Sequence, residues 1–183
     1  MTTLVVYYSN TGSNRYLAEK FAQALQCDIE AIRPRANAFP LLMLFSFVKT
    51  SLGIGNLKHR VGDYDCVVLV GPIWAGQFVS PLRDFVKKYR TSVKKLYFAT
   101  CCGSNDAKKN DTFGYATVFP KIRQLLGDKC VHCEAFPIAL ALPDDKQEDG
   151  DAVMKTRLSD DNFKGRIAER AEAFVETVRS GDG

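Results

Sequence analysis

Two short segments hold the residue types best suited to binding chemistry. The first, Ser9, Asn10, Thr11, Gly12, Ser13 and Asn14, sets hydroxyls at 9, 11 and 13 and amides at 10 and 14 around one glycine. Between a strand and a helix, such a run gathers neutral donors at a helix N-terminus, which carries about half a positive charge and suits a phosphate. It has no Lys, so it is not the GxxxxGK[ST] loop, and its single Gly separates it from GxGxxG. Taken alone, it reads more readily as a helix cap. The second segment, Gly71, Pro72, Ile73, Trp74, Ala75, Gly76 and Gln77, carries the only Trp of the chain. A large flat ring just past a buried strand offers a planar ligand a stacking surface.

A phosphate cradle and an aromatic platform together match FMN. A third segment, Cys101, Cys102, Gly103 and Ser104, follows a later strand-like run. The other reactive residues carry less. Cys130 and Cys133 flank His132 in a C-x-x-C pattern, but residues three apart on an extended strand point to opposite faces. Cys27, Cys66, Cys130 and Cys133 therefore read as core thiols, and Cys101 and Cys102 as the redox candidates nearest a ligand. Cys27 to Arg33 has the C-x5-R spacing of a phosphate loop, yet the residues between are strand-like, lack Gly and include two carboxylates. His59 lies between Lys58 and Arg60 and reads as solvated. With no G-x-S-x-G, H-E-x-x-H or triad, hydrolysis is disfavoured, and no catalytic residue or metal ligand is assigned.

The elements that must position these loops follow from apolar pattern. Residues 3–8 and 66–70 are continuous β-rich runs suited to a parallel sheet buried on both faces; shorter strands are expected at 29–32, 96–100 and 130–136. Helices are expected from Ser13 or Asn14, over 81–89 with Pro81 in the first turn, over 116–126 until Gly127, and along the face of Phe163, Ile167, Ala171, Phe174 and Val178. This alternation predicts an α/β fold: a three-layer, doubly wound, five-stranded parallel sheet whose crossovers share one hand. Ligands of such sheets lie outside the carboxyl ends of the strands, where all three loops fall. Residues 37–58 read as an unusually apolar helix, packed on the sheet or against a second copy of the chain, and residues 143–154 as an exposed connection.

A chain of 183 residues and 20.4 kDa buries roughly 70% of its surface on folding, which suits one domain over residues 1–183. With 46% hydrophobic and 25% charged residues, disorder is excluded. The net charge of +4 comes from basic residues spread along the chain, which gives nucleic-acid binding little support. The longest apolar stretch, residues 38–48, is too short to span a membrane. No secretory signal pattern opens the sequence, so the six cysteines are expected to be reduced in a cytoplasm.

The chain resembles the flavodoxin-like flavoproteins from Leu4 to about Val178. The resemblance rests on Tyr8 through Asn14, and on Asp63-Tyr64-Asp65 leading through CVVLV to Gly71-Pro72-Ile73-Trp74-Ala75-Gly76, then Pro81, Leu82 and Phe85. It implies strand order 2-1-3-4-5 with FMN across the carboxyl edge. Residues 9–14 would hold the 5′-phosphate, and Pro72, Ile73, Trp74, Ala75 and Gly76 would line the ribityl chain and ring. Backbone groups of Cys101, Cys102, Gly103 and Ser104 would close the site, and the peptide at Ala75 and Gly76 would respond to the flavin N5. The implied function is electron transfer between a reduced donor and a redox partner protein or small acceptor; the alternative is an NAD(P)H-dependent quinone or FMN reductase. Two departures bear on that choice. Carriers of this family are usually strongly acidic, whereas this chain is basic; and they commonly place a Tyr in the third loop, where small residues stand here.

Overall fold

The computed structural model describes residues 1–181. Five strands form one all-parallel sheet: β1 (Thr3–Tyr7), β2 (Asp28–Ala31), β3 (Cys66–Val70), β6 (Lys95–Cys102) and β7 (Cys130–Pro137), in the order β2-β1-β3-β6-β7. That is the expected order, 2-1-3-4-5. A two-stranded antiparallel hairpin, β4 (Ile73–Trp74) with β5 (Gln77–Phe78), stands apart from it. The central pairs are in continuous register, with Val5 opposite Val68 and Val68 opposite Tyr97.

Alternation along the buried strands feeds two cores. Leu4, Val6, Leu69, Leu96 and Phe98 face one side, with Leu82 and Phe85 of α3 (Ser80–Tyr89) and Ile122 of α4 (Phe119–Leu126). Val5, Val68, Val70 and Tyr97 face the other, with Leu17 and Phe21 of α1 (Ser13–Leu25) and Ile167 and Phe174 of α6 (Arg166–Ser180). Both faces of a parallel sheet must be covered, and the two helix layers do so.

Four expectations shift. The apolar segment 37–58 is helical only over α2 (Phe39–Phe47). Its buried residues, Leu42 and Ser46, seat it against α3: Ser46 Oγ donates to the Leu42 carbonyl at 2.7 Å and accepts from the Ser80 N–H at 2.9 Å. The Arg83 guanidinium donates to the carbonyls of Phe45 (2.8 Å), Ser46 (3.3 Å) and Thr50 (2.9 Å), satisfying carbonyls that a helix C-terminus leaves without partners. Because α2 is apolar on every side, Leu44, Phe47 and Val48 stay exposed.

The expected loop at 101–104 begins later, since β6 runs on through Cys102 and leaves only Gly103 and Ser104 beyond it. Pro120 starts α4 in its first turn, and residues 115–117 form a separate 3-10 turn. The connection 143–154 contains a short helix, α5 (Gly150–Lys155), capped by Asp149, whose carboxylate accepts from the N–H groups of Asp151 and Ala152.

Gly71 sits where β3 leaves the sheet under α3, and a Cβ there would fall 2.7 Å from both Leu82 methyl groups. Gly71→Ala is therefore expected to lower stability by about 1–3 kcal/mol through overpacking. A urea midpoint lowered at unchanged slope would show it, and an unchanged midpoint would show that Leu82 has room to yield.

Candidate functional site

The first loop is built by the turn from β1 into α1. Tyr8 still belongs to the ladder, its N–H donating to Val70 O at 3.0 Å. Residues 9–12 then turn away, with the Gly12 N–H donating to Ser9 Oγ at 3.1 Å. Gly12 is the N-cap of α1 at φ 105°, a conformation glycine adopts freely, and no side chain caps the helix. Its first N–H groups thus lack a side-chain acceptor while Asn10 and Thr11 stand exposed beside them.

Ser13 and Asn14 have a different duty. Both are buried. Ser13 Oγ accepts from the Leu158 N–H at 3.2 Å. The Asn14 side chain donates to Cys101 O at 3.0 Å and accepts from the Cys101 N–H at 2.8 Å. Besides their place beside the candidate site, Asn14 ties the first loop to the end of β6 and Ser13 ties it to Leu158.

The second loop is a hairpin whose two-residue turn, Ala75 and Gly76, has φ of 45° and 69°. Positive φ at both positions is the twist-matched choice for a hairpin of this length, although Ala75 bears a left-handed cost of about 1–2 kcal/mol. A Cβ on Gly76 would lie 2.7 Å from the Thr112 carbonyl oxygen. The Gly76 carbonyl accepts from Lys121 Nζ at 2.9 Å, so the turn is held from α4. On β4, Trp74 meets Tyr8 edge to face at 6.3 Å and Phe39 of α2 at 4.9 Å.

These elements converge. Asn10, Thr11, Ser13 and Asn14 from the first loop, Pro72, Ile73, Trp74 and Ala75 from the second, and Cys101, Cys102, Gly103 and Ser104 from the third line one cavity of about 490 Å³. Ser9 and Gly12 line a neighbouring cavity of about 540 Å³, shared with Asn10 and Thr11 and bordered by Arg15 and Arg33. Neither lining contains a carboxylate, and Arg157 supplies the one cation of the first.

Sequence reading missed part of the wall: Phe39 and Met43 from α2, Phe113, and Val153, Met154 and Arg157 from the α5 region. Phe113 and Met154 are 64% and 69% exposed, unusual for large apolar side chains outside any amphipathic pattern. Cys101 and Cys102 are poor nucleophiles here. Burial pushes both thiols up, Cys102 to about 12, so neither is a thiolate at neutral pH.

The loop carrying Phe113 is anchored by Asp106. Arg170 of α6 donates to both of its carboxylate oxygens, at 3.1 and 2.8 Å, and Tyr115 OH donates at 2.7 Å. Burial pushes this carboxyl upward, but the guanidinium and hydroxyl outweigh it and hold it below the usual carboxylate range.

The flavodoxin domain family matches residues 51–144. A sequence search among curated proteins finds no match. Among solved structures, the fold is shared with a protein of Bacteroides eggerthii at TM-score 0.61 and 19% identity, covering 84% of this chain and 93% of that one. It is shared with a flavoprotein from Lactobacillus acidophilus in complex with FMN at TM-score 0.58 and 12% identity, covering 73% and 92%. A Streptococcus pneumoniae flavodoxin aligns at TM-score 0.54 and 14% identity over 99% of both chains. Among the described residues no helix is long and apolar enough to cross a membrane, and no cluster of His, Cys, Asp and Glu could hold a metal ion.

A carboxyl held below its unfolded value stabilises the fold fully above about pH 4, and that contribution is lost as pH falls through the folded value. Asp106→Asn should therefore cost about 1 kcal/mol at pH 7, after discounting for solvent screening of a one-third exposed group. It should also shrink the stability lost between pH 7 and pH 3. Equal acid sensitivity of variant and wild type in urea titrations would contradict the assignment.

Proposed function

The chain belongs to the flavodoxin domain family, and from that premise we propose that it is an FMN-binding redox protein that carries electrons between a reduced donor and a separate acceptor. One observation carries the reading: a carboxylate-free, donor-rich helix N-terminus and the sole indole of the chain line the same cavity. The residues present fit the cofactor. A phosphate dianion would be repelled by any nearby Asp or Glu, and the lining has none.

Bound there, FMN supplies reversible one- and two-electron chemistry, and the protein supplies binding, orientation and electrostatics. The first N–H groups of α1 with the Asn10 and Thr11 side chains hold the phosphate. Trp74, with Phe39 and Met43 behind it, gives the ring an apolar wall and excludes water. Ala75, on a turn steadied by Lys121 at the Gly76 carbonyl, lines the cavity and would offer its backbone groups to the ring, whereas Gly76 lies outside the lining. Asn14 acts through Cys101, keeping the third loop at the distance the first loop sets. The exposed rim of Phe39, Phe113 and Met154 gives a redox partner its contact surface. Six cysteines without disulfides suit a reducing, cytoplasmic compartment.

A second reading, an NAD(P)H-dependent quinone or FMN reductase, is favoured by the small residues Cys102, Gly103 and Ser104 in the lining, which bring no aromatic ring of their own to that side of the cavity.

FMN added to the cofactor-free protein should perturb the 350–500 nm flavin spectrum and quench the fluorescence of Trp74. Thr11→Ala should weaken binding roughly tenfold, about one hydrogen bond to a charged group, and Trp74→Ala should weaken it at least as much. An unchanged spectrum at saturating FMN would refute the cofactor assignment. Stepwise reduction by dithionite with no NADPH consumption supports the carrier, whereas sustained NADPH oxidation with a quinone or free flavin establishes the reductase in its place.

A further inference from the structure

The C-x-x-C pair on β7 is not arranged as regular strand geometry demands. Leu96 pairs with Cys130, but the next residue of β6, Tyr97, pairs with His132, and Phe98 pairs with Cys133. Val131 is therefore the extra residue of a β-bulge, set opposite no residue of its own. The bulge resets the alternation: Cys130 and Cys133, expected on opposite faces, both turn to the core side that holds Leu96 and Phe98. Their sulfurs stand 3.5 Å apart. This overturns the expectation that the two side chains point to opposite faces of the strand.

The pair is also asymmetric. Cys133 is buried, 6% exposed, whereas Cys130 is only partly buried and lies on β7, an outer strand of the sheet. A hydrogen bond from the Cys133 thiol lowers the Cys130 thiol from its ordinary value, against the opposing effect of burial, with Arg123 and His132 adding to the lowering. The same contact and burial raise Cys133. An accessible, more acidic sulfur beside a buried partner is the arrangement of an attacking and a resolving thiol.

We propose that Cys130 and Cys133 form a reversible dithiol–disulfide site that exchanges electrons with small disulfides of the glutathione type. Closing a bond of about 2.05 Å needs only a short approach of two sulfurs already in contact. Cys130, as thiolate, attacks one sulfur of the external disulfide, forming a mixed disulfide and expelling one thiolate. Cys133 then loses its proton and attacks Cys130 Sγ, expelling the second thiolate, and solvent protons complete both released thiols. Two protein thiols are oxidised, and one external disulfide is reduced to two thiols.

The site is separate from the cavity at the carboxyl edge. Cys133 pairs with Phe98, four residues before Cys102, which places it about 13 Å back along the sheet. Three of the other cysteines are engaged differently: Cys66 Sγ meets Thr3 Oγ1, Cys102 Sγ meets the Ser104 carbonyl, and Cys101 and Cys102 are adjacent on one strand and face opposite sides.

The test equilibrates the folded full chain, with and without FMN, against graded ratios of oxidised to reduced glutathione. Samples are acid-quenched, alkylated and measured by intact mass and peptide mapping. The expected result is the loss of two alkylatable thiols in one two-electron transition, mapped to a Cys130–Cys133 bond. Cys133→Ser should stop at one glutathione on Cys130, while Cys130→Ser should leave Cys133 unmodified. Because Cys133 is buried, Cys133→Ala serves as a second variant, with circular dichroism confirming that each chain is folded. Retention of all six thiols in the most oxidising buffer overturns the proposal, as does a disulfide that forms only in urea or glutathione that reaches Cys133 as readily as Cys130. The outcome is read without reference to FMN, so it leaves the cofactor assignment standing or falling on its own titration.

Discussion

Parallel pairing of β1 with β3 and of β3 with β6 sends every loop that follows a strand to the same edge of the sheet, because each strand must be re-entered from the opposite end by a crossover. The chain has no freedom to put the polar turn after β1 and the Trp-bearing turn after β3 anywhere else. What the pairing leaves open is the spacing between neighbouring loops. Asn14 closes that gap from within α1, donating to and accepting from one residue of β6, so the helix start and the last loop move as a unit. A site built this way is as rigid as the sheet behind it.

How far this could be read from the sequence depended on the range of the interaction. Residues 3–7 and 66–70 are uninterrupted apolar runs, so their burial and parallel placement were legible without any partner in view. The donor loop and Trp74 were legible as residue types at a known edge. The duties of Ser13 and Asn14 were not, because their partners, Leu158 and Cys101, lie 145 and 87 positions away, and nothing local distinguishes a hydroxyl that binds a ligand from one that binds a distant N–H. Phe113 and Met154 escaped for the opposite reason. Each lies in a segment too short to show an apolar period, and only the folded wall gives it a purpose. The tip of β6 was misjudged because two cysteines before Gly103 read as a turn, while the neighbouring strand β7 had enough length to keep them paired.

Charge and apolar exposure are unevenly placed. Between Glu30 and Asp63 the sequence has five basic residues, Arg33, Arg35, Lys49, Lys58 and Arg60, and no carboxylate. The same stretch contains α2, whose apolar surface only partly finds cover. Arg83 holds the helix by its C-terminal carbonyls, and Phe39 and Met43 reach from it into the cavity wall. The binding site and the most apolar exposed surface are thus parts of one segment, so a change in how α2 sits would be felt at Trp74.

The bulge at Val131 has a consequence beyond the two sulfurs it brings together. β7 is an outer strand of the sheet, and an outer strand with regular spacing offers its free backbone groups as a template on which other chains can add strands and polymerise. One surplus residue breaks that spacing and sharpens the local twist. The same irregularity that aligns a reactive pair thus interrupts that template at the start of β7, ahead of the regular run from His132 to Pro137, and deleting Val131 to restore a straight strand would remove both properties at once.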